Sequence, residues 1–473
     1  MKESPLRENN EEINEILRKY ENLKKGRSHS FLDEEAFEKI IDYFDEKEDL
    51  KKAMEAAEKG AEQYPYSSTL LVRKADLLIA SRNYPDALAI LDRAVMLDSS
   101  SIEVYILRTE AYLAMDKQEK AVEILEQGLQ FFSGDEKIAL LFELADVYDD
   151  YQEFEKVFDC LRLILEADPN NEEALYKICF WTDFTGRNEE GIRLHRQIID
   201  EYPYNELAWF NLAAAYQGLK LYEKAIDAYQ YALAINEKFD YAYRNMGDAY
   251  IRLRKYKEAI ECLEKVLELI KPEALIYEAI GYCYEKLYYH AQARFYYRKA
   301  SHIVPDDSRL YYKMACTYFN EGNWESAVRQ LETALHIHKD QFEYNLLMGE
   351  SKMQLGQYKD AIHYFTSLIS IRPKNKKGWE ALVRCLYKSE KFEEAKEQVL
   401  LALRVSNGQV LFTYYLAAIL FAMGKSKEAI LHLEKGLSHS PKLLKKFIAL
   451  NPSILQNQLV VDMVARYKRN RSL

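Results

Sequence analysis

A small residue returns every 34 positions along almost the whole of this chain. Ala53, Ala87, Ala121, Val157, Gly191, Ala225, Ala259, Ala293, Ala327, Ala361, Ala395 and Ala429 keep that spacing, except for one step of 36 between Ala121 and Val157. A period of this length marks stacked helix–turn–helix units, each too small to bury its own apolar face and stable only against its neighbours. The chain has 473 residues. Because such a stack grows linearly, that length does not divide into conventional domains.

The other positions of the unit agree with this anchor. With the small residue placed at position 20, position 8 holds Ala75, Ala145, Cys179, Ala213, Gly247, Gly281, Ala315, Gly349 and Ala417, and position 27 is Ala or Gly in eight of twelve units. Helix axes cross closely where the side chains are this small. Tyr112, Tyr148, Tyr216, Tyr250, Tyr284 and Tyr318 recur at position 11, and Trp209, Tyr243, Tyr277, Tyr311 and Trp379 at position 4. Six of the ten prolines (Pro65, Pro169, Pro203, Pro305, Pro373 and Pro441) fall at position 32, where a missing N–H ends a helix. Gly186, Gly322, Gly356 and Gly424 fall at position 15, where a short connection needs a permissive backbone.

This pattern resembles the tetratricopeptide repeat family, with small residues at 8, 20 and 27, aromatics at 4, 11, 17 and 24, and proline at 32. The resemblance covers residues 34–443, and residues 206–239 follow it most fully. It weakens at 172–205, where Gly191 and His195 replace the usual alanine and aromatic, and in the first unit, where Ala57 stands in for an aromatic. It implies an all-α, right-handed superhelical solenoid of about twelve 34-residue repeats with terminal capping helices. Residues 1–33 are expected to form an N-terminal cap, with an amphipathic helix over 11–25, and residues 444–473 a C-terminal capping helix and basic tail.

Composition narrows the function classes. The net charge is −11, which argues against non-specific nucleic-acid binding. The RNA-binding pentatricopeptide family has a similar period, but its fit is poor for the same reason. No run of about 20 apolar residues and no signal-peptide core is present, so a soluble, cytoplasmic protein is expected. The six cysteines are scattered without metal-ligand spacing and read as small core hydrophobes. Gly424-Lys425-Ser426 lacks the first glycine of a phosphate loop, because Ile419 stands there. His336 and His338 lie on different helix faces and do not make a joint metal site. No catalytic motif, cofactor or metal is expected, and an enzyme is not.

The family geometry implies that first-helix positions 2, 5, 6, 9, 12 and 13 line a concave groove. On that basis Asp42, Asp76, Glu110 and Asp146 form an acidic row at position 9, with Asp45, Glu46, Asp149 and Asp150 beside it. Tyr176, Phe180, Phe210, Tyr282, Tyr312 and Phe319 form an aromatic zone. Arg244, Arg309 and Lys313 match the three basic positions of the carboxylate clamp of chaperone-binding members. Asp248 and Ala279, however, occupy the clamp's two asparagine positions, so the expectation is a general anion contact. From Lys435 onward eight Lys or Arg face one acid, Asp462. The leading reading is a non-enzymatic adaptor taking a peptide or partner segment in the groove. A scaffold using its convex face and end caps is one alternative, and a regulator meeting an anionic partner through its basic tail is the other.

Overall fold

The computed structural model describes residues 5–25 and 31–469, with side chains described from residue 12 onward except at positions 453, 466, 468 and 469. Among the described residues every regular element is a helix. The chain divides into two compact units, Met1–Ala242 and Tyr243–Leu473.

The first unit opens with helix Pro5–Lys24, which begins before the amphipathic stretch. Five antiparallel pairs follow, Glu34–Asp45 with Leu50–Gln63, Ser68–Ala80 with Tyr84–Leu97, Ile102–Ala114 with Gln118–Phe131, Asp135–Asp150 with Phe154–Ala167, and Glu172–Phe184 with Asn188–Glu201. A sixth pair joins Glu206–Gly218 to Tyr222–Ile235. The 36-residue step is absorbed in one place: Asp135–Asp150 has 16 residues where the first helices of later pairs have 13. The opening helix buries Tyr20 and half-buries Ile16, Leu17 and Leu23 against Phe37, Ile40 and Ala57 of the first pair. It is pinned by Lys24 to Glu55 (2.7 Å) and by Glu12 to Lys39 (2.8 Å). An apolar end face that would otherwise meet water is thereby covered.

The second unit repeats the pairing through Ala274–Lys286 with His290–Ile303, Ser308–Asn320 with Trp324–Ile337, Phe342–Gln354 with Tyr358–Ile371, Lys376–Lys388 with Phe392–Val405, and Val410–Ala422 with Ser426–His439. Helix Val410–Ala422 buries every residue from Leu411 to Leu420, because Phe447, Ile454 and Val460 pack on the side that a further repeat would otherwise cover. In the last helix, Gln458–Arg469, Val460 is buried and Met463, Val464 and Tyr467 pack against the same cluster, while Leu459 stays exposed. Lys446 holds this cap to Glu380 at 2.6 Å, and Tyr415 donates to the same carboxylate at 2.9 Å.

Three local causes fix the pairs. Position 34 supplies N-caps: Asp33, Ser67, Asn171 and Asn205 each accept a backbone N–H of the helix that follows. Position 15 always turns in the left-handed region. Gly186, Gly322, Gly356 and Gly424 do so, and so do Glu48, Arg82, Asp116, Gln152, Lys220, Arg254, Tyr288 and Glu390. Small and large residues are matched across each pair: a Cβ on Gly281 would lie 2.7 Å from the Tyr297 ring, and one on Gly349 2.4 Å from Phe365.

One pair departs from this rule. Helix Glu172–Phe184 packs chiefly on Phe154–Ala167 and on Glu206–Gly218, and much less on Asn188–Glu201, its own partner. The residues between these elements are the atypical ones. A Cβ on Gly191 would sit 2.7 Å from Thr182, which stands at position 11 where tyrosine is usual. His195 is wholly buried, and neither ring nitrogen has a hydrogen-bond partner among the described residues.

A candidate partner-binding face on the first helices

The acidic row lies on consecutive first helices of the first unit. Arg73 reaches Asp42 at 3.6 Å and Glu103 at 3.9 Å, and Lys177 reaches Asp146 at 3.6 Å, so part of the charge is relieved while Asp76 and Glu110 have no ion pair among the described residues. Burial raises the Asp76 carboxyl above its ordinary range, and the Asp45 and Glu103 charges add to this while Arg73 opposes it. Glu110 is raised by burial and then by Asp76. Glu143 is raised by burial, then by Asp146 and Glu110, with Lys177 opposing. Carboxylates on neighbouring helices therefore sense one another, and the row carries a negative potential that its own cations do not cancel. Glu143, at groove position 6, is part of this chain of interactions although it was not among the expected site residues. Its signal is that position 6 is basic in Lys39, Arg73 and Lys177 and turns acidic here. Asp149 is exposed at the end of its helix.

The aromatic candidates separate into two kinds. Tyr176 and Phe180 are 62% and 58% exposed, and Phe184, one turn further on, is 55% exposed. The three share one stripe of helix Glu172–Phe184 at spacing four. Phe180 and Phe184 stack at 5.6 Å, Trp181 meets both edge-on at 5.0 and 5.6 Å, and Phe154 stacks on Trp181 at 5.4 Å. Beside them a pocket of about 410 Å³ is lined by Gln152, Glu153, Phe154, Glu155, Lys156, Phe184 and Thr185. Phe184, Trp181 and Phe154 were outside the expected site. Phe184 stands at groove position 13 and was legible from the spacing, whereas Phe154 begins a second helix and was not.

The remaining rings have internal partners. Phe210 packs on Tyr229 at 5.6 Å and Phe239 at 4.9 Å. In the second unit Tyr312 stacks on Tyr344 at 4.8 Å, Tyr282 meets Tyr256 edge-on at 6.3 Å, and Phe319 is half-buried. The three basic candidates there are likewise engaged: Arg244 with Glu273 at 3.1 Å, Arg309 with both oxygens of Asp307 at 3.0 and 2.7 Å, and Lys313 with Glu278 at 2.5 Å. An anion at these residues competes with carboxylates already in place. Of the basic tail, Lys446 is committed to Glu380, while the side chains of Arg466, Lys468, Arg469 and Arg471 lie outside the described residues.

Burial pushes the thiols of Cys160, Cys179, Cys262 and Cys283 up to about 12 and those of Cys316 and Cys385 to about 11, which leaves them protonated. Among the described residues no group of three His, Cys, Asp or Glu side chains is placed to hold a metal ion, and no helix is long and apolar enough to cross a membrane.

Models of the tetratricopeptide repeat match residues 46–111, 204–271, 312–375 and 352–409. The chain is a tetratricopeptide repeat protein. It is 23% identical over 136 residues to the BBSome complex member BBS4 of Mus musculus, a match spanning 28% of this chain and 26% of that protein. Among solved structures, YrrB, described as a TPR protein with an unusual peptide-binding site, is 20% identical, with 40% of this chain and 96% of that one covered at a TM-score of 0.36. The C-terminal part of a TPR repeat-containing protein from Cytophaga hutchinsonii is 17% identical, with 54% and 98% covered at 0.44. The Cut9–Hcn1 hetero-tetramer of the APC/C is 12% identical, with 82% and 97% covered at 0.35. TPR repeats mediate protein–protein interaction, and in this repeat protein the first-helix face is where exposed rings and uncancelled charge coincide.

Proposed function

We propose that this repeat protein is a non-enzymatic adaptor that holds a partner segment against the first-helix face of residues 34–218. The observation that carries the reading is the exposed stripe of Tyr176, Phe180 and Phe184, which adjoins the acidic row of Asp42, Asp76, Glu110 and Asp146. Exposed rings in mutual contact leave apolar surface in water, and a row of like charges raises the free energy of the unliganded chain. Neither feature helps a purely structural role, and both are relieved by a ligand. Both end faces are covered by the chain's own helices, which favours the groove over the ends as the contact surface.

The reading is tested by affinity capture from native lysate with three forms of the full chain. One is unaltered, one carries Phe180→Ala and Phe184→Ala, and one carries Met96→Ala on the exposed face of a second helix. Partners lost from the double variant and kept by the Met96 variant support it. Partners kept by the double variant, or lost equally from both, refute it and move the contact to the second-helix face.

A further inference from the structure

We infer that the ring cluster of Phe154, Phe180, Trp181 and Phe184 docks an arginine-bearing, extended segment of a partner protein. The inference rests on the adaptor reading and specifies what that adaptor recognises. It starts from what singles out these four rings. Phe210 and Tyr312 stand at position 5, as Tyr176 does, but are half-covered by other rings, Phe210 by Tyr229 of its own hairpin and Tyr312 by Tyr344 of the next, whereas Tyr176, Phe180 and Phe184 keep more than half their surface exposed. The stripe stands at groove positions 5, 9 and 13 of a helix that packs chiefly on its neighbours and much less on its own second helix.

Charge then selects the occupant. Three cations lie nearby, and each is committed to a local carboxylate: Lys156 to Glu153 at 2.5 Å, Lys177 to Glu173 at 2.9 Å, and Arg187 to Asp159 at 2.9 Å. Asp149, Asp150 and Asp183 form no ion pair among the described residues. Asp149 and Asp150 close helix Asp135–Asp150 just before Phe154, and Asp183 immediately precedes Phe184. Helices Asp135–Asp150 and Glu172–Phe184 end here and helix Phe154–Ala167 begins here, so their dipoles offset one another and the negative potential rests on the carboxylates. An anionic partner, nucleic acid or lipid headgroup is repelled by this arrangement.

A planar guanidinium suits both components at once. It lies flat on a phenyl face, and its edge donates to a carboxylate, where an ammonium offers only a point charge. The pocket of about 410 Å³ beside Phe154 and Phe184 has room for the neighbouring aliphatic side chain of the same segment.

The test uses the full chain and short synthetic peptides of equal aliphatic content, graded from acidic through neutral to arginine-rich, with lysine-rich peptides matched in charge. Binding is read by fluorescence anisotropy. The unaltered chain is expected to bind the arginine-rich peptides most tightly, ahead of the lysine-rich ones. Phe180→Ala with Phe184→Ala leaves the net charge unchanged and, at exposed rings, the fold intact, as its melting curve will show. It is expected to weaken binding about tenfold, the loss of roughly 1.4 kcal/mol. Asp149→Asn, Asp150→Asn and Asp183→Asn together should weaken binding and flatten its salt dependence.

Selection of neutral or acidic peptides, equal binding by the double alanine variant, or no binding to any peptide overturns the inference. If captured partners still depend on Phe180 and Phe184 while arginine-rich peptides are ignored, the adaptor reading stands and only the cationic class of partner falls.

Discussion

His195 gives the most demanding test of how this fold is built. It is fully buried, its ring nitrogens have no partner among the described residues, and burial alone pulls its pKa from 6.5 down to about 3. Its frame position, 24, is filled by buried leucine at Leu91, Leu125, Leu161, Leu263, Leu331 and Leu433. His195→Leu therefore replaces two unsatisfied polar atoms with a side chain of similar volume that the repeat already accepts. At neutral pH the gain should be about 1–3 kcal/mol, the cost of leaving buried polar groups unpaired. The sign with pH follows from the depressed folded pKa. Above 6.5 the imidazole is neutral in both states and contributes no pH dependence. Below 6.5 the unfolded chain binds a proton that the folded chain refuses until about 3, so stability falls by about 1.4 kcal/mol per unit. At pH 5 that amounts to about 2 kcal/mol, which His195→Leu should remove.

Stacked repeats need not unfold as one, so the probe must be local. The chain has four tryptophans, and replacing Trp324 and Trp379 with Phe leaves Trp181 and Trp209 on the two first helices that flank His195. Urea unfolding in this background, followed by fluorescence at pH 7.5 and pH 5, isolates the region. Burial and neighbouring carboxylates raise Asp76, Glu110 and Glu143, and these groups act in the opposite direction, gaining stability as pH falls. They are common to both proteins, so the difference between wild type and His195→Leu belongs to His195. An identical pH dependence in the two proteins, or a destabilised leucine variant at pH 7.5, would refute the account of an unpartnered buried imidazole.

Three further outcomes are expected. Lys220→Gly and Arg254→Gly, at exposed left-handed turns, should each stabilise by about 1 kcal/mol and Gly186→Ala should cost a similar amount, read as shifts in urea midpoint. Gly281→Ala places a methyl group 2.7 Å from the buried Tyr297 ring and 3.2 Å from the Ala293 carbonyl, and should lower stability by about 1–3 kcal/mol in thermal melts. Glu380→Ala removes the acceptor shared by Lys446 and Tyr415, and should raise hydrogen exchange in helices Leu444–Leu450 and Gln458–Arg469 while residues 34–218 are unaffected.

What could be read from the sequence, and what could not, follows from the range of the interactions involved. Position 15 shows the local case. Four glycines there mark the turn, but the structure puts eight non-glycine residues in the same left-handed conformation. Glycine reveals the site because it has no Cβ to strain. At the other eight positions the packing of the flanking helices imposes the conformation whatever the side chain, so only the 34-residue register could have located them. The acidic row was legible because one residue per repeat at position 9 projects to one face. Glu143, at groove position 6, stood apart because the neighbouring repeats carry Lys39, Arg73, Leu107 and Lys177 there, so no acidic row marked it.

The site at 172–184 illustrates the remaining limit. Gly191 and His195 visibly break the pattern in sequence, and taken alone they read as a weak repeat. In the structure the crossing is made by Thr182 and Gly191 beside the unpartnered ring of His195. Helix Glu172–Phe184 packs chiefly on its neighbours, and its fourth-residue aromatic stripe is left uncovered. If the irregular core is what turns the stripe outward, His195→Leu should tighten the hairpin and reduce binding of arginine-rich peptides even as it stabilises the chain. Stability and binding that rise together in this variant would show that the exposure of Phe180 and Phe184 has a different origin.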